Sequence, residues 1–284
     1  MDAILSGVKL PEKRFGKPIS LTSHKGRINP DFDRPKFMEK MSRFELLLRE
    51  DSHHILLNGR NRIFVVPFPI SEENTIKIVI KEFFTRGLKK IKTLVLPSKA
   101  KKAWRGGVAL MKRGIPTPVP VGYLESRRSP FIKESCYLSV MEEGVDEIRH
   151  LFRHSSGDEL ESLVQALAHH LNLCHQKGIL HRDLSDGNIL VKKNAQNKLT
   201  FFLIDTNRIR LKKRLSLLSR TKNLIRLGIP PEYQRLFLEF YSAPGGLKKR
   251  ALFWYKFRKK TYTWHIDIKK KIPLRRESKS RNSV

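Results

Sequence analysis

Asp183, Asn188 and Asp205 are the residues of this chain whose types and spacing best suit chemistry. Asp183 lies in a short polar loop, His181-Arg182-Asp183-Leu184-Ser185-Asp186-Gly187-Asn188, which ends on the carboxamide of Asn188. The apolar run Ile189-Leu190-Val191 leaves the loop, and a second run, Phe201-Phe202-Leu203-Ile204, delivers Asp205 at its end. Two apolar strands with these residues at their ends gather three oxygen ligands. That set suits Mg²⁺ and the charge of a transferring phosphoryl group. His181 reads as a hydrogen-bonding support for the loop rather than as a base.

These residues need elements to carry them. Pro35-Lys36-Phe37-Met38 opens a short helix running to about Glu50, with Pro at its first position. Ile55-Leu56-Leu57, the turn Asn58-Gly59-Arg60-Asn61 and Ile63-Phe64-Val65-Val66 predict a hairpin. A third strand, Ile76 to Phe83, carries Lys81 near its end. Residues 98–113 predict a basic helix stopped by Gly114, and Ile115 to Pro120 is an extended connector. Tyr137 to Met141 is a further strand, and Glu142-Glu143-Gly144 reads as a hinge. Ser156-x-x-Glu159 is a candidate capping box. Leu160, Leu163, Val164, Leu167, Leu171 and Cys174 then recur at helical spacing up to Gly178. A sheet-rich half thus precedes a helix-rich half.

The chain has 284 residues and 39% hydrophobic content, enough to bury a substantial core. Cys136 and Cys174 lie among apolar residues without metal-ligand spacing, which predicts reduced core thiols. The pair His169-His170 likewise reads as structural or solvent-facing. The N-terminus lacks the pattern of a secretory signal and no run is long enough to span a membrane. A soluble or peripheral protein of the cytoplasm is the expectation. Its formal net charge is +31, from 58 Lys+Arg against 27 Asp+Glu. Such a field attracts nucleic acid, an anionic membrane face or a phosphorylated substrate.

The basic residues are concentrated late. Residues 206–231 hold eight Lys/Arg and no acid, with Leu215, Leu218, Leu224 and Leu227 suggesting a basic amphipathic helix. Leu236 to Tyr241 predicts another helix. Residues 248–281 hold fourteen Lys/Arg against Asp267 and Glu277, interleaved with Phe253, Trp254, Tyr255, Phe257, Tyr262 and Trp264. Aromatic rings with long cations favour an anionic membrane interface. Nucleic acid is disfavoured as a partner, because no motif of a nucleic-acid reader accompanies the charge. The final ten or so residues read as disordered.

Three segments together resemble the bacterial lipopolysaccharide core kinases, which phosphorylate Kdo or heptose, within the protein-kinase-like superfamily. They are Val79 to Phe83, then Trp104-Arg105 with Leu110 to Pro118, then His181 to Leu190 with Ile204-Asp205. The spacing from Asp183 to Asn188 matches the kinase catalytic loop. The resemblance covers roughly residues 55–210. It implies an α+β, two-lobed protein-kinase-like fold, with a small antiparallel-sheet N-lobe and a mainly helical C-lobe. The expected division is an N-terminal extension over 1–50, the N-lobe over 51–142, the C-lobe over 143–247 and a basic aromatic segment over 248–284. ATP and Mg²⁺ are the implied cofactors. Lys81 would contact the ATP phosphates, backbone near Glu142 the adenine, and Asn188 and Asp205 the Mg²⁺. Asp183 would be the catalytic residue that orients the sugar hydroxyl.

The chain departs from that pattern in identifiable places. No G-x-G-x-x-G precedes Lys81, and Gly59 is the only glycine of the first hairpin. No acid occurs from Phe83 to Leu124, so the usual Glu partner of Lys81 is missing, with Ala103 about where it is expected. Glu82, a residue from elsewhere, or the nucleotide alone remain as partners. Ser185, Thr206-Asn207 after Asp205, and the lack of an Ala-Pro-Glu point from protein substrates toward a glycolipid.

The resulting expectation is an ATP-dependent kinase acting on a sugar hydroxyl of the lipopolysaccharide inner core, peripheral at the cytoplasmic face of the inner membrane. No obligate protein partner is inferred. A catalytically weak kinase-fold module binding anionic glycolipid or membrane, and an atypical protein kinase, are the alternatives.

Overall fold

The computed structural model describes residues 15–271 apart from 51–53, 60, 86, 88–90, 92, 129 and 243–248. The expected disorder of the last ten residues lies outside the described residues. The chain divides into two compact units, one of residues 1–151 with 187–211, the other of residues 152–186 with 212–284.

The first unit is built on a seven-stranded antiparallel sheet. Its strands are β1 (Lys17–Ser20), β2 (His24–Ile28), β3 (His54–Asn58), β4 (Asn61–Pro69), β5 (Thr75–Phe84), β6 (Pro120–Arg128) and β7 (Phe131–Val140), ordered β1-β2-β6-β7-β5-β4-β3. Thus residues 17–28, which the sequence reading left without strands, extend the sheet through pairing of β2 with β6.

Side chains alternate across a strand, and β5 shows what each face does. Ile78 and Ile80 point into a core with Phe64, Val66, Phe68 and Leu138. That core is closed by α1 (Pro35–Ser42) and α2 (Phe44–Arg49) through Phe37, Met41, Phe44 and Leu47. The single helix expected to reach Glu50 is thus two helices that meet at Arg43. Burying each such side chain contributes roughly 1.5–3 kcal/mol.

The opposite face carries Phe83, which packs with Trp104, Val108, Tyr123 and Tyr137 under α3 (Lys99–Lys112). The helix begins where the Ser98 hydroxyl accepts from the Lys101 N–H at 2.9 Å. It ends before Gly114, whose φ of 59° suits a glycine terminator. The unit is completed by β8 (Asp146–Glu147) paired with β10 (Ile189–Lys193), which forms a hairpin with β11 (Leu199–Leu203), and by β12 (Ile209–Leu211). The helix α4 (Ile148–His154) follows β8.

The second unit is helical, as the periodicity predicts. The long α5 (Gly157–Gln176) buries Leu160, Leu163, Val164, Leu167, Leu171 and Cys174. Its N-cap Ser156 makes no side-chain cap bond, so the predicted capping box is not formed by that hydroxyl. Short β9 (Ile179–His181) leads to the polar loop, and α6 (Leu217–Leu224), α7 (Gln234–Ser242) and α8 (Lys249–Lys271) follow. Within the stretch expected to be basic helix, only Leu217–Leu224 is α-helical. Cys136 and Cys174 are both buried and free, and burial pushes the Cys174 thiol up to about 12.

Candidate active site

Lys81 stands on the α3 face of β5, one residue from Glu82 and two from Phe83. Its Nζ donates to Asp205 Oδ1 at 2.6 Å, and each side chain is 20% exposed. Asp205 follows β11 in the left-handed region, with φ 54° and ψ 45°. Asp tolerates this conformation better than most residues, yet it is a local strain that surrounding structure must hold. The 3-10 turn Thr206–Arg208 holds it. Asn207 Nδ2 adds a contact to Asp205 Oδ1 at 3.2 Å.

That turn is docked on α3. The Thr206 hydroxyl donates to the Ala103 carbonyl at 2.8 Å. A Cβ on Gly106 would come within 2.1 Å of the Thr206 carbonyl oxygen, and one on Gly107 within 2.8 Å of the Tyr137 hydroxyl. Two glycines inside a helix cost stability. Here Gly106 lets the helix approach the turn that bears Asp205, and Gly107 lets it pack against Pro120 and Tyr137 of the sheet. The acid missing from α3 thus has a structural counterpart: at Ala103 the helix offers a backbone carbonyl, and Lys81 takes its carboxylate from Asp205. Glu82 does not serve Lys81. It points to the other face, is 3% exposed, and accepts from Arg62 Nε at 2.5 Å. Burial pushes the Glu82 carboxyl up even though Arg62 pulls it down.

Asn188 ends the 3-10 turn Asp186–Asn188, directly before β10. The hairpin register pairs Ile189 with Leu203, and the Ile204 N–H donates to the Asn188 carbonyl at 3.1 Å. Antiparallel pairing therefore brings the residue before one strand beside the residues after the other. Asn188 and Asp205 are consequently neighbours at the open end of one hairpin. A carboxylate and a carboxamide form a hard-oxygen donor set of the kind Mg²⁺ accepts alongside phosphate oxygens and water, so the residues present fit that ion. Among the described residues no group of three His, Cys, Asp or Glu is placed to hold a metal by itself.

Glu142 begins the segment between β7 and β8. Burial pushes its carboxyl up, partly opposed by Lys192. The Met141 N–H donates to the Lys77 carbonyl at 2.8 Å, and Lys77 pairs with Glu143 at 2.7 Å. At the β3–β4 turn, Gly59 has no positive φ, and a Cβ there would meet nothing within 4 Å. Nothing in that geometry demands glycine.

Asp183 belongs to the second unit. His181 is buried, its Nδ1 accepts the Asp183 N–H at 3.2 Å, and its carbonyl accepts from Asn223 Nδ2 at 2.6 Å. Since the Asn223 amide nitrogen is the donor there, its Oδ1 must accept from His175 Nε2, 2.9 Å away. The Tyr241 hydroxyl then donates to His175 Nδ1 at 2.6 Å. Burial holds His175 neutral, with its pKa down to about 4. This network ties α5, α6 and α7 to the loop. The loop-supporting role read for His181 is what the geometry shows. Asp183 Oδ1 itself meets Arg226 Nη1 at 2.5 Å. Sequence reasoning did not single out Arg226, Asn223 or the Gly106-Gly107 pair; adjacent glycines within a predicted helix were the one legible signal.

The structure therefore brings Lys81, Asn188 and Asp205 together in the first unit and Asp183 with Arg226 in the second. Residues 96–230, just under half of the chain, match the lipopolysaccharide kinase (Kdo/WaaP) family. In fold the chain is similar to a solved structure described as WaaP in complex with acyl carrier protein. The TM-score is 0.54 at 17% identity, covering 77% of this chain and 91% of that one. No curated protein matches the chain. The resemblance read from the residues is thus shown, as a family segment and as a kinase-like α+β fold.

Proposed function

We propose that this chain, which carries a lipopolysaccharide kinase (Kdo/WaaP) family segment, is an ATP- and Mg²⁺-dependent kinase of a sugar hydroxyl, on Kdo or heptose, in the lipopolysaccharide inner core. The observation that carries the reading is the 2.6 Å pair of Lys81 with Asp205, with Asn188 at the same hairpin end. Residues 51–142 and 143–247 act as the N- and C-lobes of such an enzyme, after the 1–50 extension.

Phosphoryl transfer asks for alignment and charge neutralisation more than for covalent chemistry. Lys81 supplies a positive charge for the nucleotide phosphates, and its bond to Asp205 keeps the ammonium aimed before nucleotide arrives. Asn188 and Asp205 supply oxygen donors for Mg²⁺, which when bound neutralises phosphate charge. Backbone from Glu142 onward is free of the β7 pairing register and meets the adenine edge. Asp183, steadied by His181 and Asn223, orients the sugar hydroxyl. Transfer of labelled γ-phosphate to purified core glycolipid is expected from wild type, and to fall on the order of 10²–10³-fold in Asp183→Ala and in Asp205→Ala. Labelling that survives both changes removes the site.

The weak binding-module reading drew on the missing acidic partner of Lys81. Asp205 supplies a carboxylate to that lysine, which favours nucleotide binding. Calorimetric titration with Mg·ATP separates the two readings, because a module without nucleotide function shows no heat of binding.

The basic C-terminal segment favours peripheral attachment at the cytoplasmic membrane face. Phe253, Phe257 and Trp264 are exposed, while Tyr255 is buried. No helix among the described residues is long and apolar enough to cross a membrane. Replacing Phe253, Phe257 and Trp264 by Ala is expected to weaken binding to anionic liposomes, more so at high salt. Binding unchanged by substitution and salt removes the membrane reading. A protein partner is a further reading, since the solved relative is a complex with acyl carrier protein. The exposed Ile55, Leu56 and Leu57 of edge strand β3 supply apolar surface for one. Copurification of an acyl carrier protein that Leu56→Lys abolishes would support it.

A further inference from the structure

The turn after α6 is fastened from two sides. Leu224, Ile225, Leu227 and Ile229 are buried, whereas Arg226 between them has a side chain 42% exposed. Lys259 of α8 donates from Nζ to the Ile225 carbonyl at 2.9 Å and to the Leu227 carbonyl at 2.5 Å, the two carbonyls that flank Arg226. On the loop side, a Cβ on Gly228 would lie 2.6 Å from Asp186 Oδ2, so the turn runs hard against the segment that carries Asp183. The apolar neighbours and the lysine hold the backbone in place. The one long charged side chain that this rigid turn presents outward is Arg226, and it reaches Asp183 Oδ1 at 2.5 Å.

A guanidinium offers five N–H donors in a planar fork suited to carboxylate and phosphate. One of them, on Nη1, meets Asp183, and the side chain as a whole is 42% exposed. We propose that Arg226 is an acceptor-binding residue that receives an anionic group, carboxylate or phosphate, lying close to the hydroxyl that Asp183 orients. This rests on the kinase reading of Asp183 and deepens it. The acceptor is then a sugar whose reacting hydroxyl neighbours an anionic substituent. The pair also explains why a strongly cationic chain would place one arginine against the carboxylate it needs for the hydroxyl. Without acceptor the two neutralise each other, and with acceptor the fork turns part of its hydrogen bonding to the incoming anion.

The experiment uses the full chain as wild type, Arg226→Ala and Arg226→Lys. The acceptor probes are a Kdo-bearing inner-core glycolipid, the same glycolipid with its carboxylates methyl-esterified, and the same glycolipid dephosphorylated. Both acceptor binding by calorimetry and transfer of labelled phosphate are read. Arg226→Ala is expected to raise the Kd and KM for the native acceptor about 10–100-fold. It adds little on the neutralised acceptor that wild type already binds poorly, and which one that is identifies carboxylate or phosphate. Arg226→Lys, which keeps charge without the fork, is expected to recover part of the loss. Equal losses on native and neutralised acceptors, or an unchanged Kd, overturn the proposal and assign Arg226 to structure alone. Acceptor discrimination in the binding arm with no transfer by wild type supports Arg226 while removing the kinase reading. Transfer by wild type with no discrimination does the reverse.

Discussion

Two ion pairs sit on consecutive residues of β5 and differ in almost every respect. Lys81 meets Asp205 on the face toward α3, and Glu82 meets Arg62 on the face toward α1 and α2. Both members of the first pair are one-fifth exposed, at the end of a hairpin that also bears Asn188. Glu82 is nearly sealed, and Arg62 also donates to the Leu48 carbonyl, tying β4 to α2. Burial raises the Glu82 carboxyl despite its partner. A short distance by itself does not mark a site. What separates the two is whether the carboxylate also stands beside other oxygen donors within reach of solvent. The strand alternation alone puts them on opposite faces.

The comparison breaks most sharply if Lys81 proves structural. Lys81→Ala is expected to lower transfer on the order of 10²–10³-fold while thermal unfolding shifts only a little, since the lysine is partly exposed. A large drop in Tm with transfer intact would reverse the assignment. The next effect is Gly106→Ala. The added methyl meets the Thr206 carbonyl, so the turn carrying Asp205 must move. We expect about 1–3 kcal/mol of lost stability in chemical denaturation, with transfer reduced at least tenfold in the fraction that remains folded. Full activity would mean that the docking of α3 on this turn does not place Asp205.

On the other face, Arg62→Ala should cost about 1–3 kcal/mol of stability by leaving a buried carboxyl without its cation, with transfer altered less than a few-fold. Transfer lost in proportion to that of Lys81→Ala would join the two pairs into one site. The smallest effect is a pH slope. Glu82 is raised in the folded state above its ordinary value of 4.5, so the folded protein binds its proton more tightly than the unfolded chain. Its contribution to stability is therefore full below about that value and declines as pH rises through the folded pKa. Removing Arg62 should extend the decline to higher pH, and Glu82→Gln should abolish it. Denaturation midpoints followed upward from pH 4 check both, and a slope unchanged in Glu82→Gln would assign it to another group.

Much of the site-bearing framework was legible because it is local. The apolar runs at Ile189 and Phe201 pair as a hairpin, which forces Asn188 and Asp205 to one end. The β-strand around Lys81, the helix stopped before Gly114 and the Leu-rich α5 all follow from short-range period and glycine placement. The N-terminal β1 and β2 were not legible. The stretch His24-Lys25-Gly26-Arg27-Ile28 is basic and carries little alternation, and it becomes a strand through pairing with β6. A Cβ on Gly26 would press into the Tyr123 carbonyl at 1.8 Å, so this glycine is required by a neighbour about a hundred residues away. The basic stretch 206–231 misled in the opposite direction. Its leucines suggested a basic amphipathic helix, yet only Leu217–Leu224 is α-helical, and Leu215 and Leu227 are buried from non-helical segments.

The sequence by itself determined which side chains carry oxygen ligands and cations, their spacing along the chain, and the strands and helices that bear most of them. Period, glycine placement and turn chemistry act over a few residues, so they can be read without knowing the rest. Tertiary structure alone decided the partners: Asp205 for Lys81, Arg62 for Glu82, Arg226 for Asp183 and Asn223 for the His181 carbonyl. Those choices join residues from 20 to 124 positions apart. They follow from which faces pack together and how closely glycine lets them approach, and no local pattern encodes that.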